Sequence, residues 1–281
     1  MHSLNKTQRV RQFLKHKAKI ANGMRIVCLS DTHCRSNGLE VPDGDVLIIA
    51  GDVCLRGSLS ELRQFDAFLG QLPHKHKLFV AGNHDFPFAD LETAQAKTLL
   101  KNAVYLENSG VEIDGVKFWG SPWQPEFYDW AFNLPRGRQL AEMWALIPDD
   151  TDVLITHTPP YGILDQVENG ELVGCEDLRR ALLRVKPKLH VFGHIHECYG
   201  FIRDDGTTYI NACICNEDYY AINRPIVFDW GSSKVTMRHL DRVWRVYFMC
   251  YLVAGSNRLF CSTPHVTVPK LSVTVTPKKS A

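Results

Sequence analysis

Five short runs of apolar residues recur along this chain, and each one ends in a polar motif. The runs are Met24–Ser30, Asp45–Ala50, Leu78–Ala81, Val153–Thr156 and Leu189–Phe192. Each is nearly continuous in apolar residues, as expected for strands buried on both faces and not for half-exposed ones. Two amphipathic stretches lie between them. Leu59–Leu72 carries Leu62, Phe65, Phe68, Leu69 and Leu72 at helical spacing, and Cys175–Val185 carries Leu178, Leu182 and Val185. Strands alternating with helices predict an α/β layered fold. Val111–Gly120 and Phe201–Asn211 read instead as hairpins, turning at Asp114-Gly115 and Asp205-Gly206. The sheets should therefore be mixed. No internal repeat or long Gly/Ser linker interrupts the pattern. The expected organisation is a basic arm over residues 1–23, one catalytic domain over 24–238 and a tail over 239–281.

The polar residues fall where ligands bind in α/β sheets, just past the carboxyl ends of strands. Ser30-Asp31-Thr32-His33 follows the first run and Gly51-Asp52 the second. Gly82-Asn83-His84-Asp85 follows the third, Thr156-His157 the fourth and Gly193-His194-Ile195-His196 the fifth. Taken singly, Asp31 reads as a cap or turn residue and Gly51-Asp52 as a common turn. Taken together, five strand ends deliver His, Asp and Asn to one rim. These ligand types suit two adjacent divalent ions. Asp31 and His33 can hold one ion from a single turn. Asp52 can bridge two ions about 3.5–4 Å apart. Asn83 offers an amide oxygen, and His157, His194 and His196 offer imidazole nitrogens. Mixed oxygen and nitrogen donors without thiolate suit Mn, Fe, Zn or Ni better than Ca or Mg; the donor types do not rank these four, and Mn is the one expected. His84 is assigned to chemistry and not to metal, as a proton donor or charge stabiliser at the leaving group.

Composition narrows the partners. The formal net charge of +1 gives no reason to expect nucleic acid or an anionic membrane. It leaves an anionic small-molecule substrate open, since bound ions would supply local positive charge. The nine cysteines form no CxxC pair. Cys28 and Cys213 read as strand residues, the thiols as mainly structural, and the compartment as reducing and cytoplasmic. The arm carries Lys6, Arg9, Arg11, Lys15, Lys17 and Lys19 without an acid. It fits a solvated leader helix or, less well, a mitochondrial presequence. Trp244–Ala254 is apolar but too short to span a bilayer, which needs roughly 20 residues.

The ordered set of Asp31-x-His33, Gly51-Asp52, Gly82-Asn83-His84-Asp85, His157 and Gly193-His194-x-His196 resembles the calcineurin-like metallophosphoesterase superfamily. Within it, Gly120-Ser-Pro-Trp-Gln-Pro, Phe132-Asn-Leu-Pro-Arg-Gly, Pro187-Lys-Leu-His-Val-Phe-Gly and Tyr209-Ile-Asn-Ala are similar to the metallophosphoesterase-domain-containing (MPPED-type) proteins, over roughly Arg25–Trp230. The resemblance implies an α/β fold of four layers, a sandwich of two mixed sheets flanked by helices. It implies a first ion on Asp31, His33, Asp52 and His196, and a second on Asp52, Asn83, His157 and His194. Some MPPED-type members have glycine where this chain has His194, so the ligand set here is complete. That favours catalysis over a nucleotide- or metal-binding scaffold, which is the alternative reading. The implied reaction is hydrolysis of small phosphate esters, diesters such as cyclic nucleotides foremost, by a hydroxide activated between two ions.

One departure bears on substrate. Protein serine/threonine phosphatases show GDxVDRG, and this chain reads Gly51-Asp-Val-Cys-Leu-Arg-Gly57. Leu55 stands where an aspartate would orient the catalytic histidine, which argues against a protein substrate. Arg56 is expected in a surface ion pair before a phosphate contact. Asp85 fits an orienting role or a turn role equally. His190 should be a hydrogen-bonded core residue. The aromatic stretch of Trp119, Trp123, Phe127, Tyr128, Trp130 and Phe132 should pack on itself before offering a wall to a base.

Overall fold

The structure, a computed structural model, describes residues 23–91, 95 and 97–237. The basic arm up to residue 22, the tail and the Trp244–Ala254 run lie outside the described residues.

Two six-stranded sheets carry the fold. In the first, β1 (Arg25–Leu29), β2 (Val46–Ile49), β3 (His76–Phe79) and β4 (Val104–Tyr105) run parallel. An antiparallel pair, β13 (Ile226–Asp229) and β14 (Lys234–Thr236), extends the sheet beyond β1. In the second, β6 (Val116–Ser121), β9 (Val153–Thr156), β10 (Leu189–Phe192) and β12 (Thr207–Asn211) are parallel. β5 (Ser109–Ile113) and β11 (Gly200–Asp204) close its two edges as hairpin partners. Both hairpins turn where Asp-Gly predicts. Asp114 and Gly115 have φ of 49° and 82°, and Asp205 and Gly206 have 43° and 84°. Positive φ at both central residues gives the turn a twist that matches the strands. A small two-stranded pair, β7 (Gln124–Pro125) and β8 (Asn133–Leu134), stands apart.

Alternation along the buried strands builds four layers. Ile26, Cys28, Val46 and Ile48 of the first sheet meet Val153, Ile155, Leu189 and Val191 of the second in a central core. The opposite faces of the same strands point outward. Val27, Leu29, Leu47 and Ile49 pack under α1 (Leu59–Gln71) through Leu62, Phe65 and Leu69. Leu154, Phe192 and Tyr209 pack under α2 (Arg138–Ala145) and α3 (Glu176–Val185) through Leu140, Trp144, Leu178 and Leu182. Helix α1 starts at a capping box, in which Ser58 and Glu61 each satisfy the other's backbone N–H. Helix α3 starts at Cys175, whose sulfur accepts from the Leu178 N–H.

Two expectations shift. The third strand is His76–Phe79, not Leu78–Ala81, because its register is set by β2: His76 pairs with Val46 and Phe79 with Ile49. Val80 and Ala81 run on past it toward Gly82. Cys213 lies beyond the end of β12, in a single parallel bridge with Ser30. That bridge matters for the site. Ser30 N–H donates to Ala212 O and Ile214 N–H to Ser30 O, so the two sheets are tied together where β1 and β12 end.

Candidate metal centre

Backbone strain marks the place where the loops meet. Asp31, His33, Asp52 and His194 all have left-handed φ, at 52°, 41°, 53° and 71°. Such positions cost about 1–3 kcal/mol each outside glycine and persist only where surrounding structure enforces them. Here cross-strand bonds do so. Asp31 N–H donates to Gly51 O and His33 N–H to Asp52 O, while the Asp31 carboxylate accepts the His194 N–H. Glycine allows the close approach. A Cβ on Gly193 would overlap the Asp31 carboxylate and the Ser30 hydroxyl, and one on Gly82 would overlap the Asp52 carboxylate.

Asp85 holds two of these loops together. Its buried carboxylate accepts four backbone N–H bonds, from Asp52 (2.9 Å), Val53 (3.1 Å), Cys54 (3.0 Å) and Gly82 (2.9 Å). Burial and the adjacent Asp52 charge push its carboxyl up to about 6, against these donors. Both roles are seen: the carboxylate holds the Asp52 loop, and with Gly82 it closes the Gly82–Asp85 turn, while the His84 ring is held elsewhere.

Three imidazoles are fixed in the same way. His33 Nδ1 bonds Cys54 O at 3.1 Å, His157 Nδ1 bonds Ala50 O at 2.8 Å and His196 Nδ1 bonds Asn216 O at 2.8 Å. A carbonyl only accepts, so each Nδ1 carries the hydrogen and each Nε2 faces inward. The inward atoms crowd. His33 Nε2 lies 3.2 Å from His196 Nε2, and His196 Nε2 lies 3.3 Å from Asp31 Oδ1. His157 Nε2 lies 2.9 Å from Asn83 Oδ1 and 3.4 Å from Asp52 Oδ2. Asp52 Oδ2 is also 3.8 Å from His33 Nε2 and 3.9 Å from His84 Nε2. Donor atoms that share one ion at about 2.1 Å lie roughly 3.0–3.4 Å apart. The donor atoms of these residues stand at that spacing, so the arrangement fits cations; protons on His157 and His196 hold the same atoms together through hydrogen bonds to Asn83 and Asp31. Among the described residues the ion-pair partners of Asp31 and Asp52 are all histidines.

The electrostatics agree. Burial alone would raise the Asp31 carboxyl, but the His196 hydrogen bond and the charges of His157, His196 and His33 outweigh it and hold it well below the usual range. Asp52 is lowered likewise, with His157 the main opponent of burial. The counterpart appears on the imidazoles. Burial disfavours a charged His157 and His196, yet Asp52 and Asp31 raise them both to about 9. Ligation needs neutral imidazole, so entering ions would displace protons held at these two rings. His33 is lowered to about 4 by burial.

Of the seven residues singled out as ligands, six converge through the contacts above: Asp31, His33, Asp52, Asn83, His157 and His196. His194 stands beside them, its ring centroid 5.0 Å from that of His157, without a hydrogen bond to the other six from its ring among the described residues. His84 also reaches the cluster. Its Nδ1 bonds Leu55 O at 2.9 Å. The position that holds an aspartate in protein phosphatases thus still orients this histidine, through a neutral backbone carbonyl.

Several neighbours carried no sequence signal. Cys213 Sγ donates to Asp31 Oδ2 at 3.1 Å, and with Asp31 and His196 it forms a group whose ligand atoms lie within 4.8 Å of one another. The thiol is raised well above its ordinary value by burial and by Asp31, so it acts there as a hydrogen-bond donor. Trp130 packs against His84 with centroids 4.2 Å apart and the ring planes tilted by 37°. The aromatic stretch therefore divides: Trp119, Trp123 and Phe132 pack into the core clusters, Trp130 covers His84, and Phe127 and Tyr128 are exposed. Arg56 does not form the expected ion pair among the described residues. It is exposed, and its backbone N–H is held by Glu61. His190 is a core residue, bonded through Nε2 to Thr156 Oγ1 at 2.9 Å.

Comparison with known proteins shows the family and the fold. The family model described as calcineurin-like phosphoesterase matches residues 24–198. The chain is 46% identical over 234 residues to metallophosphoesterase domain-containing protein 1 of Homo sapiens, covering 75% of this chain and 72% of that one. It is 45% identical over 218 residues to a UPF0046 protein of Caenorhabditis elegans, covering 73% and 74%. A solved protein of Thermus thermophilus shares the fold at a TM-score of 0.52 and 14% identity, over 77% of this chain and 99% of that one.

Proposed function

The chain belongs to the calcineurin-like phosphoesterase family, whose reaction is metal-dependent hydrolysis of phosphate esters, and from that premise we propose that it acts on small phosphodiesters, cyclic nucleotides among them, with manganese as the favoured metal. The observation that supports this best is the convergence of Nε2 and carboxylate oxygens at 3.2–3.4 Å around Asp31 and Asp52. Asp31, His33, Asp52 and His196 would hold one ion, and Asp52, Asn83, His157 and His194 the other. When bound, such a pair activates water at neutral pH and neutralises charge on phosphoryl oxygens.

The remaining work falls to the chain. Asp85 keeps the Asp52 and Asn83 loops in register, so the two halves of the centre stay aligned. Leu55 O takes the Nδ1 hydrogen of His84 and leaves Nε2 toward Asp52 and the centre, where it can handle a proton at the leaving oxygen. Trp130 covers one face of that ring and shields it from water. A monoanionic diester suits this surrounding better than a dianionic monoester, for which guanidinium groups are the usual partners. No arginine or lysine among the described residues pairs with Asp31 or Asp52.

The test is hydrolysis of bis(p-nitrophenyl) phosphate beside a panel of cyclic nucleotides and monoesters. Turnover should require added Mn²⁺ and vanish in EDTA. His84→Ala should keep its metal and lose rate by about 10²–10⁴-fold. Metal-replete protein inactive on every ester would overturn the proposal.

A further inference from the structure

One side chain at the centre has no part in the reaction as described so far. After β12 the chain passes Cys213 and Cys215 and folds back at Asn216–Tyr220, where Cys215 bridges Ala221. The Asn216 carbonyl accepts twice, from His196 Nδ1 at 2.8 Å and from the Tyr219 N–H at 2.9 Å. The Asn216 side chain in turn accepts the Tyr220 N–H at 2.8 Å. Tyr219 itself has a left-handed φ of 61°. For a bulky residue this is a genuine outlier. The same carbonyl that fixes a proposed metal ligand therefore also fixes a strained tyrosine.

The strain places the ring over the centre. Tyr219 lies edge-on to His33 with centroids 4.6 Å apart, and it is 5.4 Å from His196 and 6.1 Å from His84. The residue is half-buried, and among the described residues its hydroxyl has no hydrogen-bond partner. An ordinary phenol keeps its proton at neutral pH and can donate. The ring thus lies beside both the proposed ligands of the first ion and the histidine assigned to the leaving group, and its hydroxyl is close enough to feel the Asp52 and Asp31 charges.

We propose that Tyr219 is a substrate-contacting residue, whose hydroxyl donates a hydrogen bond to a non-bridging oxygen of the bound phosphoryl group. The inference rests on the hydrolytic reading above. A neutral donor fits a diester, which carries a single negative charge. Packing against His33 and His196 needs only the ring, so the hydroxyl is left for a ligand.

Tyr219→Phe removes the hydroxyl and keeps the ring, while Tyr219→Ala removes both. Full-length protein loaded with Mn²⁺ is compared for metal content, for kcat/KM on bis(p-nitrophenyl) phosphate and for affinity toward inorganic phosphate by calorimetry. Tyr219→Phe should keep its metal, lose about 10- to 100-fold in kcat/KM and bind phosphate about tenfold more weakly, as expected for one hydrogen bond to a charged oxygen. Tyr219→Ala should lose at least as much. A Tyr219→Phe protein within twofold of the parent in both measurements would overturn the proposal, as would one that loses its metal. A parent that binds phosphate through its metals but turns over no ester would instead sink the hydrolytic reading. The phosphate arm would then still decide the contact made by Tyr219.

Discussion

Replacing Asp85 by asparagine changes one oxygen for an NH₂ group and almost nothing in volume. The aspartate oxygens divide their work evenly: Oδ2 accepts from Asp52 and Gly82, and Oδ1 from Val53 and Cys54. Asparagine can serve one of these pairs. Its NH₂ group must then face the other pair, donor against donor, in a fully buried setting. A buried donor left without a partner costs about 1–3 kcal/mol. Two such donors come to roughly 2–6 kcal/mol, a large share of the 5–15 kcal/mol typical of a whole domain. The damage is also local, because the loops that separate carry Asp52 and Asn83. Asp85→Asn should therefore lower stability by that amount in urea unfolding and should lower metal content in the folded protein. A variant within about 1 kcal/mol of the parent, with full metal content, would refute the view that this carboxylate holds the two halves of the centre together.

Two further outcomes are expected. Burial lowers His190 to about 3, so its folded pKa lies below the unfolded value, and the stability it contributes is present above about 6.5 and lost as pH falls toward 3. Between pH 7 and 5 that loss is about 2 kcal/mol. His190→Leu should therefore lose less stability than the parent over this interval in parallel urea titrations, and parallel losses would contradict the assignment. Gly193→Ala should fold less stably and lose metal, measured by elemental analysis, because its Cβ would overlap the Asp31 carboxylate. Full metal content in that variant would show that the loop can move aside.

Much of the centre was legible because its ligands sit one to four residues past strands with a strong sequence signature. Runs such as Val153–Thr156 and Leu189–Phe192 are buried on both faces, and the residues that follow them must emerge at one rim. The remainder depends on contacts that leave no local pattern. Leu55 orients His84 through its backbone carbonyl, which every residue type possesses. Trp130 reaches His84 from a loop far along the chain, and Tyr219 reaches His33 from a loop still farther. Cys213 read as a small hydrophobe because its bond to Asp31 crosses from one sheet to the other. Short elements were hidden for a different reason. β4, β7 and β8 have two residues each, too few for alternation to show, and β3 took its start from pairing with β2 and not from its own apolar residues.

The most direct measurement is anomalous diffraction from crystals grown with Mn²⁺. Two peaks per chain are expected on either side of Asp52, one among Asp31, His33 and His196 and one among Asn83, His157 and His194, with His84 outside both coordination spheres. Both peaks should vanish in Asp52→Ala. A single peak that excludes His194, or a peak ligated by His84, would contradict the two-metal assignment and the separation of metal binding from chemistry on which the proposed reaction depends.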